Sequence, residues 1–252
     1  MARAVSIITG GGRGIGRAIA LRSAQDTAVL VIGRTEVDLV DVCREISSTG
    51  GDAAYIVGDI TDPATARHAV TLAHEKGWMV RDLVCNAGIG KSGALETFDA
   101  QTWKDIFDVN VNGAFHFIQA CLPPMLEAKR GNVILVSSIA GLKGYAFNSA
   151  YVASKHALVG LARSMALEYG ARGITTVAIC PGFVESEMTD RVIHGVMQRH
   201  GIDENAARAR VAKSNPQRRI LPAEEVAEAV AFVCSGKVPS LSGNPMVLSG
   251  GE

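Results

Sequence analysis

Tyr151 and Lys155 stand four residues apart in NSAYVASKHALVG (148–160), a stretch otherwise made of small and apolar residues. On a helix, positions i and i+4 share a face, so the phenol and the ammonium meet. A free tyrosine, with a pKa of ~10, is a poor acid or base at neutral pH. A neighbouring cation stabilises the phenolate and lowers that value, which makes the pair a candidate proton donor to a developing alkoxide. For two such residues taken alone, a packed aromatic beside a snorkelling amine is the plainer alternative.

A second constellation lies near the start of the chain, where VSIIT (5–9) runs into TGGGRGIG (9–16) and helical pattern follows at once. Gly10, Gly14 and Gly16 would let the backbone approach a pyrophosphate closely, and the helix N-terminus would offer its free amides. Strand, glycines and helix in that order separate this loop from an ordinary glycine-rich turn. The spacing is GxxxGxG rather than GxGxxG. The second apolar run, AVLVI (28–32), ends in Gly33, Arg34 and Thr35. A carboxylate there would hold a free ribose 2′-hydroxyl, whereas arginine would hold a 2′-phosphate. Arg34, with Arg13 inside the glycine loop, therefore favours NADP(H) over NAD(H), although Glu36 and Asp38 lie nearby with the opposite charge.

Positioning these groups requires alternating strands and helices. Runs at 5–9, 28–32, 53–57, 82–85, 132–136, 175–179 and 245–248 are mostly continuously apolar, as parallel strands covered on both faces should be. Helical pattern fills 14–25, 36–48, 62–75, 102–128, 151–169 and 223–234. The alternation predicts an α/β fold: a Rossmann-type, doubly wound parallel sheet of about seven strands with helices on both faces. No linker divides residues 1–252, so one domain is expected. The charged, strandless segment 187–221 reads as a small helical lid inserted into it.

Composition narrows the setting. The 25 basic and 25 acidic residues balance, so no global field recommends nucleic acid or an anionic membrane as partner. Cys43, Cys85, Cys121, Cys180 and Cys234 are odd in number and scattered through apolar runs, which suggests reduced thiols rather than disulfides or a metal site. MARAVSIITGGG reaches its glycines before any signal-like region develops, and no apolar run approaches a membrane span. A soluble cytoplasmic protein is expected.

With these pieces placed, the chain resembles the short-chain dehydrogenase/reductase family over nearly its whole length. The resemblance is carried by TGGGRGIG (9–16), GDIT (58–61), CNAGI (85–89), VNVNG (109–113), VSSIAG (136–141), YVASK (151–155) and PGFVESEM (181–188). It implies that Ile15 joins the glycines at the cofactor, together with Thr35, and that Asp59 and Ile60 touch the adenine. It also implies that Asn86, Ala87 and Gly88 line the cofactor, and that Pro181, Gly182, Val184 and Ser186 hold the nicotinamide end. Tyr151 would be the acid/base, with Lys155 also binding the nicotinamide ribose. Ser138 would hold the substrate oxygen, and Asn110 would support a proton-relaying water. Cys85 and Ser186 depart mildly from the family's usual asparagine and threonine. A homotetramer is implied as well, built through the Tyr151 helix, its neighbour and the last strand.

SKHALVG and ICPGFVESEM are similar to segments of 3-oxoacyl-thioester reductases, in which basic residues dock an acyl carrier protein. Lys129 and Arg172, with Arg130 adjacent, fall at those positions. The lid instead looks like that of NAD-dependent 3-hydroxybutyrate dehydrogenases, which grip a free carboxylate with glutamine, histidine and lysine. The aligned residues here are Gly90, Ala140 and Asn148, none of them charged. A buried carboxylate without a cation is disfavoured, so a masked acid ranks above a free one. Lys143 or a lid arginine could reverse that order. A non-catalytic nucleotide-sensing module would ordinarily lack the tyrosine or the lysine, and both are present.

Overall fold

The computed structural model describes residues 3–252; Met1 and Ala2, part of the N-terminal stretch read above, lie outside them. Seven strands form one parallel sheet: β1 (Arg3–Thr9), β2 (Ala28–Gly33), β3 (Ala53–Val57), β4 (Trp78–Cys85), β5 (Gly131–Val136), β6 (Ile174–Pro181) and β7 (Pro245–Leu248). Their spatial order is β3-β2-β1-β4-β5-β6-β7. Chain direction across the sheet reverses between β1 and β4, which opens a crevice at the carboxyl ends of those two strands.

The central strands are buried throughout, from Val5 and Ile7 to Ile134 and Ile179, because helices cover both faces. One face packs against α3 (Pro63–Glu75), α5 (Gly113–Glu127) and α6 (Ser149–Tyr169). The other packs against α1 (Gly14–Ser23), α2 (Glu36–Ser48) and α9 (Ala223–Cys234). Local signals set several boundaries. Asp62 accepts from the Ala64 amide at 2.8 Å with Pro63 opening α3, and Gly201 ends the helix that follows β6 at φ 61°.

Three boundaries differ from the sequence reading in ways that affect the site. The expected helix over 102–128 is α4 (Ala100–Phe107), a π-helical turn at Asp108–Asn112, and then α5. Strand β6 runs on to Pro181, because its partner β7 continues in register to Leu248, and so it carries Pro181 to the crevice. Helix α6 starts at Ser149, which places Tyr151 in its first turn. The charged segment after β6 folds as α7 (Glu187–His200) and α8 (Glu204–Ala212) around a small core of Ile193, Ala207 and Val211.

Candidate active site

The first βα turn is shaped by close approach. A Cβ on Gly16 would lie 2.0 Å from the Gly10 carbonyl oxygen, so only glycine lets α1 start against β1. Gly10 and Gly14 take φ of 65° and 52°, and the Gly10 amide donates to Ile32 O at 2.7 Å. Arg13 precedes α1 without capping it, so the first amides of the helix are left for an anion at the crevice. Asn86 spends its side chain on the loop itself, donating to Thr9 O at 3.0 Å and Gly10 O at 3.2 Å. The Thr9 hydroxyl accepts in turn from the Asn86 and Ala87 amides. These contacts tie β4 to β1 where the two strands diverge. The cradle thus fits a dinucleotide pyrophosphate.

The two arginines read as a pair behave differently. Arg34 is exposed at the end of β2 and makes no ion pair among the described residues. It lies near enough to Asp59 to help hold that carboxyl below its usual range, after the stronger effect of the Thr61 amide. Arg13, in contrast, is already engaged, 2.6 Å from Glu187 and 3.3 Å from Asp38. Two carboxylates hold it between the glycine loop and α7. Ile60 is buried against Gly113, at the end of the strand beside β2.

Around Tyr151 the groups converge. Ser138 opens a short 3-10 turn after β5; its hydroxyl accepts from the Ala140 amide at 3.1 Å and donates to Pro181 O at 3.4 Å. Tyr151 is pushed up in pKa by burial, and its hydrogen bond with Ser138 pulls the other way. Lys155, 4% exposed, donates to Val136 O at 2.8 Å, and burial lowers its pKa to about 8. Its Nζ stands 5.6 Å from the Tyr151 ring centroid. The spacing argument expected this amine to lower the tyrosine pKa. Here Lys155 is not among the causes of the tyrosine's shift: burial raises it, and the amine is aimed at the Val136 carbonyl instead.

Asn110 is 1% exposed in the π-helical turn. Its Oδ1 accepts from the Ile89 amide at 2.8 Å, and its Nδ2 donates to Ile89 O and Ser154 Oγ, both at 2.9 Å. These bonds make the side chain a clamp on the loop after β4. Gly88 sits inside that clamp, where a Cβ would lie 3.3 Å from both Asn110 Oδ1 and Lys155 Nζ. A family model described as short chain dehydrogenase matches residues 4–196.

The chain belongs to the short-chain dehydrogenase family.

This short-chain dehydrogenase is 36% identical over 248 residues to 2-(S)-hydroxypropyl-CoM dehydrogenase 3 of Xanthobacter autotrophicus, covering 98% of this chain and 95% of the relative. It is 32% identical over 249 residues to the 3-oxoacyl-[acyl-carrier-protein] reductase FabG of Staphylococcus aureus, covering 98% and 96%. Among solved structures, an actinorhodin polyketide ketoreductase variant with NADPH superposes with a TM-score of 0.94 at 29% identity, covering 98% of this chain and 96% of that one. The chain is accordingly an oxidoreductase of a family that uses NAD(P)(H).

Other expected site residues of this dehydrogenase have local duties. Ser186 caps α7 by accepting from the Thr189 amide at 3.4 Å and donates to Val184 O at 3.1 Å. Lys129 and Arg130 precede β5 and Arg172 precedes β6, at the amino ends of the two strands, where the Gly131 amide donates to Gly173 O at 3.2 Å. Two contributors were not foreseen. Ser154 bonds Asn110 from within the YVASK motif, and its small-residue position one turn after Tyr151 was the only signal available. Glu252 bonds Lys143 at 3.1 Å across 109 positions of sequence, which no local pattern announces. No group of metal-binding side chains occurs among the described residues, and no helix there is long and apolar enough to cross a membrane.

Proposed function

We propose that this enzyme reduces a ketone to a secondary alcohol with NADP(H), the ketone being the 3-oxo group of an acyl thioester. The observation that carries the substrate reading is the uncharged wall beside Tyr151. A Cβ on Gly90 would touch the Tyr151 ring at 3.0 Å, Ala140 is buried, and the Asn148 amide is spent on Ser92 Oγ at 2.8 Å and Ala146 O at 3.1 Å. None of these positions offers a cation to a free acid. Lys143 is paired with Glu252, Arg208 with Glu185 and Asp190, and Arg219 with Glu225, so these three are already engaged. Relatives named as 3-oxoacyl and polyketide reductases support the same reading.

The dinucleotide, when bound, supplies the hydride. The glycine loop, the first amides of α1 and the unpaired Arg34 would hold it, the arginine favouring a 2′-phosphate. Ser138 would orient the carbonyl oxygen toward the Tyr151 hydroxyl, which gives up its proton as the alkoxide develops. Burial keeps that phenol protonated at neutral pH, the form reduction requires. Lys155 keeps a positive charge below the phenol and holds the end of β5 to α6. Asn110 fixes the loop that forms the far wall. Helices α7 and α8 would act as the lid over the crevice of a single-domain enzyme.

We infer a homotetramer, supported by a groove between α5 and α6 lined by Phe115, Leu122, Leu126, Leu161, Met165 and Tyr169, with Leu167 89% exposed beside it. In such an assembly a carrier protein at Lys129, Arg130 and Arg172 would serve the site of a neighbouring copy. Five free thiols fit a reducing, cytoplasmic setting. A kinetic panel tests the function: acetoacetyl thioesters, free acetoacetate and simple ketones, each with NADPH and NADH. The thioester with NADPH should lead, and Tyr151→Phe should lose on the order of 10²-fold or more in kcat. Faster oxidation of 3-hydroxybutyrate with NAD, or full activity of the Phe variant, would refute the reading.

A further inference from the structure

Lys143 is the single charged residue between Ser138 and Tyr151. Its ammonium lies 3.1 Å from Glu252 Oε1, and the same oxygen accepts from the Tyr145 hydroxyl at 2.8 Å. The glutamate side chain is 10% exposed, against 44% for Lys143, so the carboxylate is the inner member of the pair. Burial and that carboxylate push the Tyr145 phenol up, so it remains a donor. The cluster stands next to the site rather than in it. A Cβ on Gly182 would lie 3.8 Å from Glu252 Oε2, and the preceding Pro181 carbonyl receives the Ser138 hydroxyl.

We propose that Glu252 is a specificity-determining residue: it occupies Lys143 in an internal ion pair and so turns substrates with a free carboxylate away from the crevice. The proposal rests on the ketone-reducing reading above. Without Glu252, the loop between Ser138 and Tyr151 would present an unpaired ammonium beside the substrate. With it, an incoming acid must compete with a carboxylate already fixed by two donors, and meets like charge while doing so. A thioester, an ester or a neutral ketone makes no such demand. The device is one of rejection, which charge arranges more readily than shape does.

The test compares acetoacetate with its methyl ester, two substrates that differ in charge at one end. Glu252→Gln should raise the acid-to-ester ratio of kcat/KM about tenfold, mainly by lowering KM for the acid, with kcat for the ester unchanged. Adding Lys143→Met to that variant should return the ratio to its starting value. An unchanged ratio in Glu252→Gln, or a gain that survives in the double variant, overturns the proposal. Failure of the unmodified enzyme to turn over the ester with either cofactor would refute the underlying ketone reading instead, and with it this inference.

Discussion

Lys155 illustrates how a buried cation is held at the expense of stability. Burial moves its pKa from 10.5 to about 8, and no carboxylate among its causes of shift repays the loss of water. At about 1.4 kcal/mol for each tenfold change in proton affinity, keeping the ammonium charged in the folded chain costs roughly 3 kcal/mol. Replacing it with methionine, similar in length and uncharged, removes that cost, but leaves Val136 O without its donor, a loss of about 1 kcal/mol. Lys155→Met should therefore be about 2 kcal/mol more stable at pH 7 and melt about 5 °C higher, while turnover collapses. The pH dependence gives the sharper check. Between about pH 8 and 10.5 the unfolded chain keeps the proton that the folded chain sheds, so stability of the unmodified protein rises with pH through this window. The gap to the methionine variant should be widest below about pH 8, close near about pH 9.5 and reverse by about 1 kcal/mol as the pH approaches 10.5. Thermal and urea denaturation from pH 7 to pH 10 would measure it. A methionine variant less stable than the parent at pH 7, or a gap that does not change with pH, would refute the account of Lys155 as an uncompensated buried cation.

Two further predictions follow from the cofactor edge and the outer helices. Arg34→Asp should raise KM for NADPH by on the order of 10²-fold and improve use of NADH, because the only unpaired cation at the end of β2 becomes a carboxylate; retained NADPH preference would show that Arg34 does not set it. Light scattering should give about four times the 26.5 kDa chain mass, whereas a monomer mass would remove the role assigned to the α5/α6 groove.

Much of this architecture could be read directly from the chain. Val29–Ile32 and Val133–Val136 are apolar at every position because strands covered on both faces need no alternation, and the glycine loop, Arg34, Ser138, Tyr151 and Lys155 sit at strand and helix ends where motif and pattern coincide. The π-helical turn at 108–112 was not legible, because apolar and polar residues continue through it at helical spacing. The turn matters, since it buries Asn110 where its amide can clamp Ile89 and reach Ser154.

What the sequence determined by itself was the parallel sheet, its crevice and the identity of the groups facing it, since these depend on local pattern and on spacing within single elements. What only the tertiary structure decided was how those groups are charged and which of them are free. Tyr151 and Lys155 share a helix, yet the loss of water around them raises the one and lowers the other. Arg13 and Arg34 look alike in sequence, yet Asp38 and Glu187 occupy the first and leave the second open. Lys143 looked like a hand for an acid until residue 252 closed on it. Desolvation and ion pairing depend on atoms brought together from distant parts of the chain, and the packed fold alone brings them together.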